Sequence, residues 1–158
     1  MIPFYNSLVR RNVLVDEARS WLGTPFSENC AVKGPQGGVS CSRYLAACHT
    51  AAGACAAIVL PILPVEQVRH WHEHHAESQI LLWLALPEVR GRVRRVDEGA
   101  APLIGDLVVM KVQLTEHHIG LWCGHEILHV AIPAGVVSHS TRDPKLRKMI
   151  RGVYRIYE

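Results

Sequence analysis

The sequence predicts an α+β fold in which helices come first and an antiparallel sheet follows. In the first half, apolar residues recur every three or four positions, which is the period of an amphipathic helix. After Pro102 the pattern changes to short runs of Val, Ile and Leu, which are typical of strands. The breaks between these runs are too short for crossover helices, so neighbouring strands should be antiparallel. This order indicates one α+β domain over residues 1–158.

Two helices are predicted near the start of the chain. The first covers Ser7 to Leu22 and ends at Gly23-Thr24-Pro25. A loop rich in Gly, Pro, Asn and Ser follows from Pro25 to Val39. The second helix runs from Ser40 to Gly53, with Ser40 as its capping residue. Cys41 therefore lies in the first turn of this helix.

Further elements follow from the same periodicities. Residues 65–86 indicate one or two helices, and the second of these, from Ser78 to Leu86, is apolar enough to be buried. The break from Val112 to Glu116 predicts a hairpin loop. The predicted strands are Leu107–Met110, His118–Trp122, Ile127–Ile132, Val136–Val137 and Val153–Tyr157.

Charge and hydropathy exclude several classes of protein. Seventeen Lys and Arg against fourteen Asp and Glu give a net charge of +3, which is too mild to indicate a nucleic-acid binder. The basic clusters at residues 90–95 and 142–151 are short, and we expect them to be solvated faces of packed elements. The apolar stretches are too short to span a membrane, and the first residues lack the apolar run of a signal peptide. We therefore expect a chain that is made in the cytoplasm and has no membrane span.

Cys41 is the candidate nucleophile. A helix N-terminus carries partial positive charge and unpaired N–H groups, which stabilise a thiolate. The amides of Cys41 and Ser42 would also face the oxygen of an attacked carbonyl group, so they are the candidate oxyanion hole. An odd count of five cysteines, without CxxC spacing, predicts at least one free thiol. Cys48 and Cys55 lack these flanks and are interpreted as packing residues, and Cys30 and Cys123 have no assigned role.

Two histidines suit the remaining catalytic roles. A thiol nucleophile needs an imidazole to take its proton, and that imidazole needs an orienting partner. His118 opens one predicted strand, and His129 lies in the next. A tight turn at residues 123–126 would make the two strands neighbours and bring these side chains within reach of one another. His118 is therefore the candidate base and His129 its orienter, whereas His117 should point to the opposite face and be exposed.

These motifs together resemble the NlpC/P60 cysteine peptidases, a papain-like family that cuts the peptide stems of bacterial cell walls. The resemblance covers most of the chain, with five short motifs in the family's order. They are Gly23-Thr24-Pro25-Phe26, Ser40-Cys41-Ser42, Gly105-Asp106-Leu107-Val108, His118-Ile119-Gly120-Leu121-Trp122 and Leu128-His129-Val130.

The resemblance implies a peptidase that forms an acyl-enzyme on Cys41, needs no cofactor or metal, and acts on the peptidoglycan stem. It implies that Phe26 and Ser40 lie at the substrate-binding side of the site. The compact form, with its Tyr-Arg-x-Tyr ending, is most similar to the branch carried on phage tails and gene-transfer particles. Delivery to the wall by such a particle or by a specialised secretion route is the corresponding expectation, with tail or secretion proteins as partners.

Two departures from the family pattern keep other functions open. Ser40 replaces the usual Asp, and Phe26 replaces a common Tyr, so lowered activity is expected. The same Cys and His pair suits an amidase or acyltransferase that acts on other amides. An inactive assembly module of a phage tail is the second alternative.

Two histidine motifs suggest metal instead. His125-Glu126-Ile127-Leu128-His129 matches the H-E-x-x-H zinc protease motif, but that chemistry needs a helix, and the flanking residues indicate a turn and a strand. In a strand the two histidines would be ~13 Å apart. The cluster from His70 to His75 places His70 and His74 on one helical face, but a solvated helix end explains it as well.

Overall fold

The computed structural model describes residues 1–56, 60, 78–112 and 115–158. Helices predominate in the first part of the chain and strands in the second. In chain order they are α1 (Leu8–Arg19), β1 (Ala31–Val32), β2 (Gly38–Val39), α2 (Cys41–Ala51), α3 (Gln79–Leu84), α4 (Pro87–Arg90), β3 (Val93–Arg95), β4 (Leu107–Val112), β5 (Thr115–Trp122), β6 (Glu126–Ala131), β7 (Gly135–Ser140), α5 (Pro144–Met149) and β8 (Ile150–Ile156).

The two N-terminal helices form where the sequence predicts them. The hydroxyl group of Ser7 caps α1 by accepting a hydrogen bond from the amide of Arg10 at 3.3 Å. Helix α2 packs against α1, and the buried Tyr44 hydroxyl donates to the carbonyl oxygen of Ala18 at 3.0 Å. The loop between the helices contains the short antiparallel pair of β1 and β2, which the sequence analysis did not predict. No helix in the described ranges is both long and apolar enough to cross a membrane.

The main sheet has six antiparallel strands in the order β3-β8-β4-β5-β6-β7. Because side chains alternate between the faces of a strand, the sheet buries two apolar layers. The larger layer faces α1 and α2 and includes Leu107, Val109, Ile119, Leu121, Leu128 and Val130. The smaller layer lies on the other face, where Val108, Met110 and Ile127 pack against Leu146 of α5.

Asp106 of the Gly-Asp-Leu-Val motif has a structural role. Its carboxylate is 2% exposed and accepts hydrogen bonds from Arg155 Nε at 2.8 Å and Nη2 at 2.7 Å. It also accepts a bond from the amide of Leu103 at 2.8 Å. This buried pair fastens β8 to the turn that precedes β4.

The structure confirms two further predictions and shortens a third. The first basic cluster includes an edge strand, β3, and the second contains α5, which begins at the Asp143 cap and Pro144; the Arg and Lys side chains of both clusters are exposed, as expected for solvated faces of packed elements. The hairpin expected between Val112 and Glu116 joins β4 to β5, which pair antiparallel, with strand up to Val112 and again from Thr115 onwards. The predicted apolar helix is reduced to α3, in which Ile80 is buried and Leu82 is exposed. Residues 65–77, with the His70 to His75 cluster, lie outside the described residues.

Candidate active site

Cys41 is the first residue of α2, as the sequence predicts. Ser40 precedes it in an extended conformation, with φ −93° and ψ 162°, which is the backbone geometry of an N-cap. The Ser40 hydroxyl group, however, makes no capping hydrogen bond. The expectation that Ser40 caps the helix through its side chain is therefore wrong, and the amide groups of the first turn stay available to other partners.

Some of these amide groups face the Cys41 sulfur. Burial raises the pKa of the Cys41 thiol, and backbone hydrogen bonds from Ile119, Ser42 and its own amide oppose that effect without cancelling it. The residue as a whole is half-buried. The prediction of a resting thiolate is therefore wrong. The pKa of Cys41 is raised rather than lowered, because the loss of water around the sulfur outweighs the field of the helix. The resting group is a thiol that needs a base.

The Cys41 sulfur lies against β5 at the point where the pairing of β5 with β6 ends. The pairing of β5 with β6 runs from Trp122 and Ile127 to Gly120 and His129, and it does not continue to Ile119. Beyond that point the Ile119 amide faces the Cys41 sulfur. Because His118 directly precedes Ile119, the helix brings the candidate nucleophile to the stretch of β5 that carries the candidate base.

His118 and His129 contact one another directly. His118 Nε2 lies 2.7 Å from His129 Nδ1, and the rings meet edge to face with centroids 4.9 Å apart. They are diagonal neighbours, because His129 pairs with Gly120, two residues beyond His118. Contact of these histidines across neighbouring strands is the arrangement that the sequence predicts. The contact occupies Nε2 of His118 and leaves Nδ1 as the nitrogen not engaged by His129.

Both imidazoles are neutral at neutral pH. Burial, with smaller contributions from the neighbouring His129, His117 and His139, lowers the pKa of His118 to about 3. Burial and the nearby His139 lower the pKa of His129 to about 4. A neutral His118 has a bare nitrogen for the thiol proton, but its low pKa makes it a weaker base than an ordinary imidazole in the substrate-free protein.

A third histidine joins this pair and was missed by the sequence analysis. His129 Nε2 lies 2.6 Å from Nδ1 of His139, an exposed residue of β7. The two ring centroids are 4.8 Å apart. His139 was overlooked because the predicted strand ended at Val137. Ser138, His139 and Ser140 are all polar, so no alternation of apolar and polar residues signalled that the strand continues past Val137.

Phe26 and Ser40 lie on the other side of the N-terminus of α2. Phe26 forms an isolated parallel bridge with Val39, and the Ser40 amide donates to the carbonyl oxygen of Cys30 at 3.4 Å. The loop that carries Phe26 approaches β2 so closely that a Cβ on Gly38 would lie 2.4 Å from Ser27 Cβ. Phe26 is half-buried and packs against the main core. Both residues therefore lie beside Cys41, as a wall of a cleft would.

The other candidate residues have structural positions. Residues 126–129 of the H-E-x-x-H motif lie in strand β6, so the helix needed for zinc binding is absent from this stretch. Among the described residues, no group of three or more His, Cys, Asp or Glu side chains is placed to hold a metal ion. His117 is half-buried rather than exposed. Cys48 and Cys123 are buried, Cys30 and Cys55 are partly exposed, and all five cysteines are free.

Comparison with models of known protein families gives no match for this sequence, and comparison with curated proteins gives none either. Solved structures do resemble it. A protein of the NLP/P60 family from Staphylococcus aureus, described as similar to a lipoprotein, superposes with a TM-score of 0.60 at 17% identity. That match covers 99% of this chain and 44% of the staphylococcal protein, so this chain spans less than half of its length.

Two mycobacterial structures are also similar. The peptidoglycan hydrolase RipB from Mycobacterium tuberculosis has a TM-score of 0.57 at 18% identity, with 99% of this chain and 69% of that one covered. RipD from the same organism, a non-catalytic NlpC/P60 domain protein adapted to peptidoglycan binding, has a TM-score of 0.52 at 16% identity, with 92% and 95% covered. Together with the helices and the antiparallel sheet, these likenesses show that the chain has the papain-like α+β fold of NlpC/P60 domains.

Proposed function

We propose that this protein is a cysteine peptidase that hydrolyses peptide bonds in the stems of bacterial peptidoglycan. In this proposal Cys41 is the nucleophile, His118 the general base and acid, and His129 the residue that orients His118. The observation that carries it is the set of contacts around Cys41 and His118. The sulfur faces the amide of Ile119, and the preceding residue, His118, presents one ring nitrogen to His129 at 2.7 Å.

The acylation step follows from the protonation states. Nδ1 of the neutral His118 accepts the proton of the Cys41 thiol while the sulfur attacks the carbonyl carbon of the substrate. The carbonyl oxygen becomes negative, and the amides of Cys41 and Ser42 stabilise it by donating hydrogen bonds. When the C–N bond breaks, His118 returns the proton to the departing amine, and a thioester remains on Cys41.

Hydrolysis of the thioester reverses these roles. His118 accepts a proton from a water molecule, and the resulting hydroxide attacks the thioester carbonyl carbon. The C–S bond then breaks, and the sulfur takes the proton back from His118. A free carboxylic acid leaves, and thiol and imidazole are again neutral. A resting neutral pair thus suits general-base attack rather than a preformed thiolate and imidazolium pair.

The peptidoglycan stem is proposed as substrate because RipB and RipD are described by their action on, or binding to, peptidoglycan. Phe26 and Ser40 are proposed to contact the stem, since both lie beside the N-terminus of α2. Delivery by a phage tail or a secretion apparatus, with proteins of that apparatus as partners, remains a prediction from the sequence resemblance alone.

A non-catalytic wall-binding module is the second candidate. RipD has this fold without catalysis, and burial raises the pKa of Cys41 above that of an ordinary thiol, which weakens an unassisted nucleophile. This candidate predicts binding to the wall without any cleavage.

Digestion of purified peptidoglycan, followed by mass analysis of the soluble fragments, separates these functions. A stem peptidase releases fragments that are cut between two amino acids, with one new amine and one new carboxyl group. An amidase releases whole stems from the glycan. A binding module co-sediments with the wall and releases nothing, and that result would overturn the proposed peptidase.

A further inference from the structure

We propose that His139 is a positioning residue whose Nδ1 accepts a hydrogen bond from the Nε2–H of His129 and thereby fixes the tautomers of the His118 and His129 imidazoles, leaving His118 Nδ1 free for Cys41. This inference rests on the proposed function, because it assigns a role within the same site. It concerns the contact between His129 Nε2 and His139 Nδ1, 2.6 Å apart, which lies beyond the Cys-His-His set.

The three imidazoles form a row joined by two hydrogen-bond contacts, and both nitrogens of the middle ring, His129, are engaged. His118 Nε2 meets His129 Nδ1, and His129 Nε2 meets His139 Nδ1. A neutral imidazole has one N–H group and one bare nitrogen. The choice of tautomer at any one ring therefore dictates the choice at the next, because each contact needs one donor and one acceptor.

The two hydrogen bonds between the imidazoles can run in either direction, and only one direction permits catalysis. If His118 is to take the thiol proton, its Nδ1 must be bare, so its Nε2–H donates to His129. His129 then has a bare Nδ1, and its own Nε2–H must donate to His139. If the hydrogen bonds run in the opposite direction, His118 carries its proton on Nδ1, and that nitrogen cannot accept the thiol proton.

The groups at both ends of the row of three imidazoles favour the direction that permits catalysis. At the inner end, backbone amides of Cys41, Ser42 and Ile119 already donate to the sulfur, so the thiol hydrogen needs an acceptor, and in the proposed mechanism a bare His118 Nδ1 is that acceptor. At the outer end, His139 is exposed on β7, which leaves its Nε2–H free to donate to water while its Nδ1 accepts. Without an acceptor at position 139, the Nε2–H of the buried His129 would lose its partner, and the unproductive tautomer would gain population.

Three variants separate hydrogen bonding from shape. His139→Phe keeps a flat ring but removes the acceptor. His139→Asp supplies a group that only accepts, and His139→Asn puts a carbonyl oxygen close to the position of Nδ1. His139 is exposed at the edge of the sheet, so all three should fold, which thermal unfolding checks. His125→Phe, at an exposed histidine in the turn before β6, is the matched control.

The decisive readout is the tautomer of each histidine in the substrate-free protein, measured by ¹⁵N NMR of the imidazole nitrogens at neutral pH. We expect the Nε2–H form for His118 and His129 in the unmodified protein and in His139→Asp. In His139→Phe, Nδ1–H forms of both should appear. Unchanged tautomers in His139→Phe would overturn the proposal.

Wall hydrolysis gives the second readout. We expect His139→Phe to lose about tenfold in kcat/KM, in line with the loss of one neutral hydrogen bond. His139→Asp and His139→Asn should stay within about threefold, as should His125→Phe. Equal losses in His139→Asp and His139→Phe would contradict a role in proton ordering. If the unmodified protein cleaves no wall, the proposed function fails, whereas the tautomer measurement still decides this inference.

Discussion

Gly120 of β5 pairs directly with His129 of β6, and a side chain at position 120 would meet Ile127, His129 and Met110. A Cβ at position 120 would be 2.8 Å from Ile127 Cγ2 and 3.2 Å from His129 Cβ. We therefore expect Gly120→Ala to push His129 away from His118 and to destabilise the protein by about 1–3 kcal/mol, as overpacking does.

Wall hydrolysis and urea denaturation test the effect of Gly120→Ala together. Gly91→Ala is the control, because a Cβ there meets only Pro87 O, at 3.7 Å. The control should lose neither stability nor activity. A Gly120→Ala variant with normal stability and normal turnover would show that the close packing around His129 is unimportant.

Replacing His129 tests its proposed orienting role. His129→Ala leaves Nε2 of His118 without its partner at 2.7 Å, so the contact that fixes the orientation and tautomer of the His118 ring is lost. We expect kcat to fall on the order of 10²-fold or more, and KM to change little. His129→Asn should recover part of the loss, because its carbonyl oxygen can accept the Nε2–H of His118. Equal activity of the Ala and unmodified proteins would refute the role.

Acid should destabilise the fold through its buried imidazoles. Burial lowers the pKa of His49 to about 4, of His118 to about 3 and of His129 to about 4. In the unfolded chain each titrates near about 6.5. As the pH falls from there, the unfolded chain binds protons that the folded chain does not, so the free energy of unfolding decreases until the pH reaches the folded pKa values.

Urea denaturation between pH 7 and pH 4 measures this loss. Each imidazole contributes a slope of up to about 1.4 kcal/mol per pH unit in the window between its two pKa values. His118→Gln should reduce the slope, whereas His125→Gln, at an exposed residue, should leave it unchanged. A stability that is flat over this window would show that these rings are not buried in their neutral form.

The ion pair of Asp106 and Arg155 should contribute far more to the free energy of unfolding than a surface ion pair does. The Arg155 side chain is 15% exposed and that of Asp106 2% exposed, so Arg155→Ala leaves a buried carboxylate without its countercharge. We expect a loss of about 3 kcal/mol or more in the free energy of unfolding. Glu158→Gln breaks the exposed pair with Arg10 and should cost less than about 1 kcal/mol. Equal losses in the two variants would contradict this difference.

The sequence predicted the sheet and the central pair of histidines because both have local signals. Short runs of apolar residues mark β4, β5 and β6, and a tight turn makes residues of β5 and β6 neighbours, so the contact of His118 with His129 could be foreseen. The elements that it missed lack such signals. β3 is a charged edge strand, and β1 and β2 have only two residues each.

The ionisation of Cys41 could not be predicted from the sequence. The position of the thiol at the start of α2 was foreseen, and that position alone favours a thiolate. The opposing effect is burial, which depends on how α2 packs against β5 and is therefore a property of the tertiary structure. His139 was missed for a related reason, since its link to His129 depends on the register of β6 with β7.

Cleavage of purified peptidoglycan by Cys41→Ala, beside Cys48→Ala and the unmodified protein, tests the thiol mechanism most directly. Cys48 lies on the same helix but is fully buried, so its variant controls for the loss of a thiol from α2. We expect no stem fragments from Cys41→Ala, and normal fragments from the other two proteins with or without a metal chelator. Fragments released by Cys41→Ala, or activity abolished by the chelator, would contradict a cysteine nucleophile.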